Sequence, residues 1–242
     1  MKYLSIILFA FFVVSCKNEN APKSMSAEEI INKSIEVSGG DIFSKSERDK
    51  TYMSRRLGDE FLMVRMFEEN NDSITDIYDN FGFKRMVGEE FVNVADSMAV
   101  KYTASVNSVH YFSTLPYGLN DKAVQKELIG EETIKTKDYY KLKVTFNEEG
   151  GGEDYEDVFV YWIDKQTFKS SYLAYSYNED DGVGMRFREA YNERYINGLR
   201  FVDYNNFKAE DLSIQLFDLG KAFENNQLKL LSKIKLENVT VN

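Results

Sequence analysis

Residues 139–146 read Tyr139-Tyr140-Lys141-Leu142-Lys143-Val144-Thr145-Phe146, and their alternation decides the fold class. Tyr140, Leu142, Val144 and Phe146 recur at a period of two, with Lys141, Lys143 and Thr145 between them. A helix would scatter these four side chains around its circumference, whereas a strand gathers them on one face. The stretch predicts a strand of an antiparallel sheet with one apolar and one wet face. By the same parity, Phe159 and Tyr161 of an expected strand at 155–163 fall on the apolar side.

The same grammar extends in both directions. Short strands are expected at 51–57, 61–67, 73–78, 81–87 and 91–94, separated by turn residues such as Asn70-Asn71-Asp72 and Gly88. Further strands are expected at 171–177, 185–191, 199–204, 212–217 and 230–236, with a short helix at 220–228 between the last two. Strands at this spacing, punctuated by glycine, asparagine and aspartate, mean antiparallel meanders. Two longer helices flank the first group. Ser26-Ala27-Glu28-Glu29 is a capping box, followed by Ile30, Ile31, Ser34 and Val37 at helical spacing and stopped by Gly39-Gly40. Asp96 is placed to cap a helix over 97–113, with Met98, Tyr102, Val106, Val109 and Phe112 on one stripe and Pro116 beyond its end.

The first sixteen residues are different in kind. Lys2 is their only charge; an apolar run follows and ends at Ser15 and Cys16, the sole cysteine. The run is too short for a membrane-spanning helix, which needs about 20 apolar residues, and has the shape of a secretory signal. Val13-Val14-Ser15-Cys16 resembles the lipobox of bacterial lipoproteins, in which the cysteine becomes the lipid-carrying first residue of the mature chain. The resemblance implies a signal peptide at 1–16, lipidation at Cys16, a polar tether at 17–25 and one folded domain over 26–242. By the same resemblance, Lys17 after the cysteine, where enterobacterial lipoproteins retained in the inner membrane carry an aspartate, implies an outer-membrane lipoprotein facing the periplasm or the cell surface.

Composition excludes several classes. A formal charge of −10 lacks the cationic face that nucleic-acid binding requires, and argues against electrostatic docking to anionic lipid heads. One cysteine excludes internal disulfides and thiolate zinc sites. His110 is the only histidine, too few for a histidine-based metal site, and no Gly-x-Ser-x-Gly elbow accompanies it. The acidic glycine loop at 147–154 carries no Gly-Lys-Ser/Thr, so it is not a phosphate loop. It and the loop at 178–184 read as solvated hairpins. The tyrosines at 172, 175, 177, 191, 195 and 204 read as amphipathic sheet faces, with stacking on a ligand as the other reading. No metal, cofactor or catalytic residue is expected, and the chain reads as a non-enzyme.

Three stretches carry a further resemblance: 128–146 (LIGEETIKTKDYYKLKVTF), 161–168 (YWIDKQTF) and 195–201 (YINGLRF). In order and spacing they resemble the LolA, LolB and LppX lipoprotein-carrier-like superfamily and its uncharacterised Bacteroidota outer-membrane lipoproteins. The resemblance implies an α+β, mainly antiparallel protein: a strongly curved, incomplete β-barrel with helices packed in its concave face. It also implies a cavity for a lipid, an acyl chain or a lipoprotein acyl group. Its lining is expected from Tyr140, Leu142, Val144, Phe146, Phe159 and Tyr161. The competing reading is an interaction or scaffold lipoprotein with a filled core that binds a partner protein. Within 161–168, Asp164 and Thr167 are expected to bind the backbone of a turn. Thr136 stands where a hairpin glycine is common.

Overall fold

The capping box at Ser26 forms as its residues dictate. The Ser26 hydroxyl accepts from the Glu29 amide at 3.2 Å while a Glu29 carboxylate oxygen accepts from the Ser26 amide at 2.7 Å. Helix α1 runs Ala27–Val37 and buries Ile30, Ile31 and Ser34. Gly39 then turns to φ 95°, where a side chain is strained and a Cβ would meet the Gly198 carbonyl. A short helix, α2, follows at Gly40–Phe43. The computed structural model describes residues 24–43, 52–57, 60–69, 71–151, 155–179, 182–236, 239 and 241. Cys16, the signal peptide and most of the tether lie outside these residues.

The strands form two open antiparallel sheets, each a meander in chain order. The first comprises β1 (Tyr52–Leu57), β2 (Glu60–Glu69), β3 (Asp72–Asp79), β4 (Gly82–Val87) and β5 (Glu90–Val92). Helix α3, Asp96–Ser113, lies across β1 to β4. After a 3-10 turn at Tyr117–Asn120, the second sheet begins with β6 (Val124–Ile134), β7 (Lys137–Phe146) and β8 (Val158–Asp164). It continues through β9 (Ser170–Glu179), β10 (Gly182–Ile196) and β11 (Leu199–Ala209), and ends at β12 (Leu228–Ile234). Helix α4, Leu219–Glu224, lies between β11 and β12 in sequence. The mainly antiparallel class holds and neither sheet is closed, and the strands pair as two sheets rather than as one continuous sheet. The three-residue, exposed β5 leads into an 18-residue helix, so β6 cannot follow it as a hairpin partner.

Three local expectations change. Ala95, not Asp96, is the N-cap of α3; Asp96 is its first helical residue, where a carboxylate suits the positive end of the helix dipole. The strand expected at 212–217 is absent. Asp211 accepts from the Ser213 amide at 2.9 Å and turns the chain, and Leu216–Asp218 is a 3-10 turn leading into α4. Leu216, Leu219 and Phe223 are buried together, so helical spacing prevails over a brief alternation. The third change concerns the lysine side of β7, which is only partly wet. Lys141 pairs with Glu132 at 2.6 Å and donates to the Phe217 carbonyl.

Helices cover both sides of the second sheet, which therefore has two cores. On one face, Val160, Trp162, Tyr172 and Phe187 pack with Leu219 and Phe223 of α4. Gly220 makes that approach possible, since a Cβ there would meet the Trp162 ring at 2.8 Å. The opposite face carries Leu142, Val144, Phe159, Tyr161 and Leu173, packed against Ile30 and Ile31 of α1 and Leu119. The β6–β7 turn explains Thr136: Lys135 and Thr136 both adopt positive φ, 47° and 67°, the pair of conformations a tight two-residue hairpin needs. At the other predicted turn, Asp164 accepts from the amides of Gln166 and Thr167 at 2.9 and 2.8 Å.

Candidate functional site

Strand register brings all six predicted lining residues to one place. Leu142 pairs with Tyr161, Val144 with Phe159 and Tyr140 with Ile163 across β7 and β8; Phe146 packs edge-on against Phe159 at 5.7 Å. All six belong to the face under α1, here called the Leu142 face. Leu142, Val144, Phe159 and Tyr161 are buried, and Tyr140 and Phe146 are half-buried at its ends. Two surface clefts lie elsewhere. One of 560 Å³ is bounded by Phe83, Phe91, Val92 and Asp96 of the first sheet and α3. The other, of 210 Å³, is bounded by Lys126, Glu127 and Lys143. None of the six residues borders either cleft.

Two different covers lie on the Leu142 face. Helix α1 is tied down along its length by polar links. Glu28 meets Lys126 at 2.8 Å, Asn32 accepts from Asn120 at 2.6 Å, and the Val37 and Ser38 carbonyls accept from the Tyr195 hydroxyl and the Arg200 amide. The second cover is the C-terminal turn of α3. Tyr111 stands 5.0 Å from Phe159 and 6.0 Å from Phe146, ring to ring, and Phe112 stands 5.1 Å from Tyr175. Most of α3 rests on the first sheet, so its aromatic tip reaches from one sheet onto the other.

Under that tip the face is polar. The Tyr111 and Tyr161 hydroxyls share a hydrogen bond at 2.7 Å. Burial pushes the pKa of both above the ordinary tyrosine range, and burial also raises that of Tyr204, against the pull of Arg200 and Arg188. All three hydroxyls therefore stay protonated. Arg188, on β10 opposite Leu173 of β9 and Asn206 of β11, extends the row of Leu142, Tyr161 and Leu173 across the sheet. It is 7% exposed. Phe112 covers its guanidinium at 3.6 Å, with the rings of Tyr175 and Tyr204 at 5.2 and 6.0 Å. One Nη donates to the Tyr175 hydroxyl at 2.9 Å, and Nε has no hydrogen-bond partner. Among the described residues no carboxylate lies within 4.0 Å of it. Arg200, on the same face, pairs with Glu193 at 2.7 Å.

Nothing in the alternation of 139–146 pointed to Arg188. The available signal was the run Met185-Arg186-Phe187-Arg188, which reads as an apolar face backed by a wet one. Register places Arg188 on the Leu142 face, and because both faces of the sheet are covered it is buried there. The side chain of His110 lies outside the described residues, as do the loop positions 152–154 and 180–181. Among the described residues, no group of three or more His, Cys, Asp or Glu is placed to hold a metal ion, and no helix is long and apolar enough to cross a membrane.

The profile of one protein family matches residues 73–237, which take in part of the first sheet and all of the second. The chain belongs to DUF6503, a family of unknown function. The DUF6503 match takes in β3 through β12 and therefore the whole Leu142 face. No curated protein matches the chain. Two solved structures resemble it at low identity. A LolA superfamily protein from Nitrosomonas europaea is 13% identical, with 78% of this chain and 88% of that chain covered and a TM-score of 0.36. A DUF1329 family protein from Desulfovibrio piger is 14% identical, with 74% and 85% covered and a TM-score of 0.39.

Proposed function

We propose that this is a lipid-anchored, non-enzymatic binding protein of the bacterial envelope that holds a hydrophobic ligand, a lipid or acyl chain, against the Leu142 face. The observation that carries the reading is the division of the cover. Helix α1 is fastened to the second sheet, whereas the tip of α3 belongs mainly to the first. Lifting that tip exposes Phe146, Phe159, Tyr161 and Tyr175 as one contiguous apolar and aromatic strip, the lining such ligand sites use. In the closed arrangement Tyr111 and Phe112 occupy the place an acyl chain would take. The hydrophobic run ending at Cys16 supports an acylated N-terminus as the membrane attachment. Cys16→Ser should then abolish labelling by a fatty-acid probe and release the protein from membranes.

A titration of the protein with a fluorescent fatty acid tests the ligand reading. Saturable micromolar binding, about −8 kcal/mol, is expected, and Tyr111→Ala should strengthen it by removing the competing ring. The second reading, a filled-core interaction lipoprotein, is favoured by the complete burial of Leu142, Val144 and Tyr161. It predicts no saturable binding in either protein, and only lost stability in Tyr111→Ala.

A further inference from the structure

The structure assigns to Arg188 a role that the apolar lining does not supply: it binds the carboxylate head of an acyl ligand whose chain lies along the Leu142 face. The inference rests on the ligand reading above and adds the chemical class of the head group.

A guanidinium withdrawn from water is expensive unless an anion accompanies it. Of the two fully buried arginines of the second sheet, Arg200 has Glu193 at 2.7 Å. Arg188 has aromatic rings and one phenol instead. Cation–π contacts offset part of the desolvation, but they leave the charge unneutralised and Nε without an acceptor. A carboxylate supplies both missing elements, because its two oxygens match the side of a guanidinium. Tyr175, whose hydroxyl accepts from Arg188, keeps its own proton to donate.

The position also fits an amphiphile. Arg188 and Asn206 continue, as polar members, the apolar row of Leu142, Tyr161 and Leu173, so a head group on Arg188 directs the chain toward Tyr161 and Phe159. Phe112 lies directly over the guanidinium, and the tip that must lift to admit the chain is the same one that shields the charge. Two other acids do not fill the role. Glu193 is engaged by Lys169 and Arg200. Asp157 acts electrostatically on Tyr111 but lies beyond ion-pair distance of Arg188.

Dodecanoate and dodecanol, equal in chain length and different in charge, separate the possibilities by calorimetric titration of the full chain at pH 8. Wild type should bind dodecanoate at one per chain, and more tightly than dodecanol by about tenfold or more, as a hydrogen bond to a charged group implies. Arg188→Met should abolish that preference while retaining dodecanol binding, and Arg188→Lys should keep part of it. Equal affinity for the two probes in wild type overturns the carboxylate assignment and leaves the ligand reading intact. Absence of saturable binding for either probe overturns both. The wild-type comparison needs no variant to fold.

Discussion

Both sheets bury an arginine beneath an aromatic ring of the same helix. In the first, Arg85 of β4 lies 3.5 Å beneath Tyr102; in the second, Arg188 of β10 lies 3.6 Å beneath Phe112. The settings differ in one group. Arg85 faces Asp76, a fully buried carboxylate on β3 that accepts from its Nε at 2.6 Å and also pairs with Arg65 of β2. Register makes this a row of opposite charges across three strands, Arg65, Asp76 and Arg85. Arg188 occupies a comparable row, with Leu173, Tyr161 and Leu142 on one side and Asn206 on the other. The first arrangement holds a carboxylate of its own, shared by two arginines. The second has aromatic rings and a phenol in place of the anion.

The largest effect should follow from spoiling the complete arrangement. Asp76→Asn leaves two arginines facing a neutral amide, and breaking a buried pair by removing one partner costs about 3–5 kcal/mol. At this chain length that lowers the melting temperature by on the order of 10 °C. Chemical denaturation of the variant checks it. A loss below about 1 kcal/mol would mean that the first sheet is not held by its ion pairs, and the contrast with Arg188 would lose its reference.

A smaller effect probes the polar patch beneath the α3 tip. Tyr111→Phe removes one hydroxyl and leaves that of Tyr161 without its partner, at a cost of about 1–2 kcal/mol. The same residues give an alkaline signature. Burial raises the folded-state pKa of Tyr111, Tyr161 and Tyr204 above the unfolded value of about 10. The unfolded chain therefore loses these protons first. Their contribution to stability is complete below pH 10 and is lost as pH rises beyond it, by up to about 1.4 kcal/mol per pH unit for each tyrosine. Denaturation midpoints between pH 8 and 11.5 should fall accordingly, less steeply in Tyr111→Phe. A flat profile would place these hydroxyls in contact with water.

Much of this was legible in the sequence because it depends on local periods. The alternation of 139–146 placed Leu142, Val144 and their neighbours on one face, and the Ser26 box specified α1 down to its two cap hydrogen bonds. The division into two sheets was not legible. It depends on α3, which has Val106 as a buried apolar anchor and otherwise gives little sign of which surface it covers. The double covering of the second sheet escaped for a related reason. Val160 and Trp162 alternate with Phe159 and Tyr161 in a strand that is apolar on both sides, and such a run does not announce what lies on its second face. Arg188 was hidden by the ordinary rule that a charged residue opposite a phenylalanine faces water.

The smallest expected change in stability is the most informative. Arg188→Met replaces a buried, unneutralised cation with an unbranched apolar side chain of similar reach. Whatever the variant loses in ring contacts with Phe112, Tyr175 and Tyr204, it regains by removing the desolvation cost, since exchanging buried charge for well-packed apolar groups is often neutral or stabilising. Stability should therefore stay within about 1 kcal/mol of wild type or rise. Arg85→Met, the same substitution under the same kind of ring, should cost several-fold more, because Asp76 then keeps Arg65 alone. Measured side by side in denaturant, the two variants isolate the presence of a carboxylate from the presence of an aromatic cover. A loss of 3 kcal/mol or more in Arg188→Met would show that the cation–π contacts make Arg188 a structural residue, as Arg85 is. A near-neutral result would leave a buried charge that the fold does not need, which is the condition expected of a group kept for a ligand.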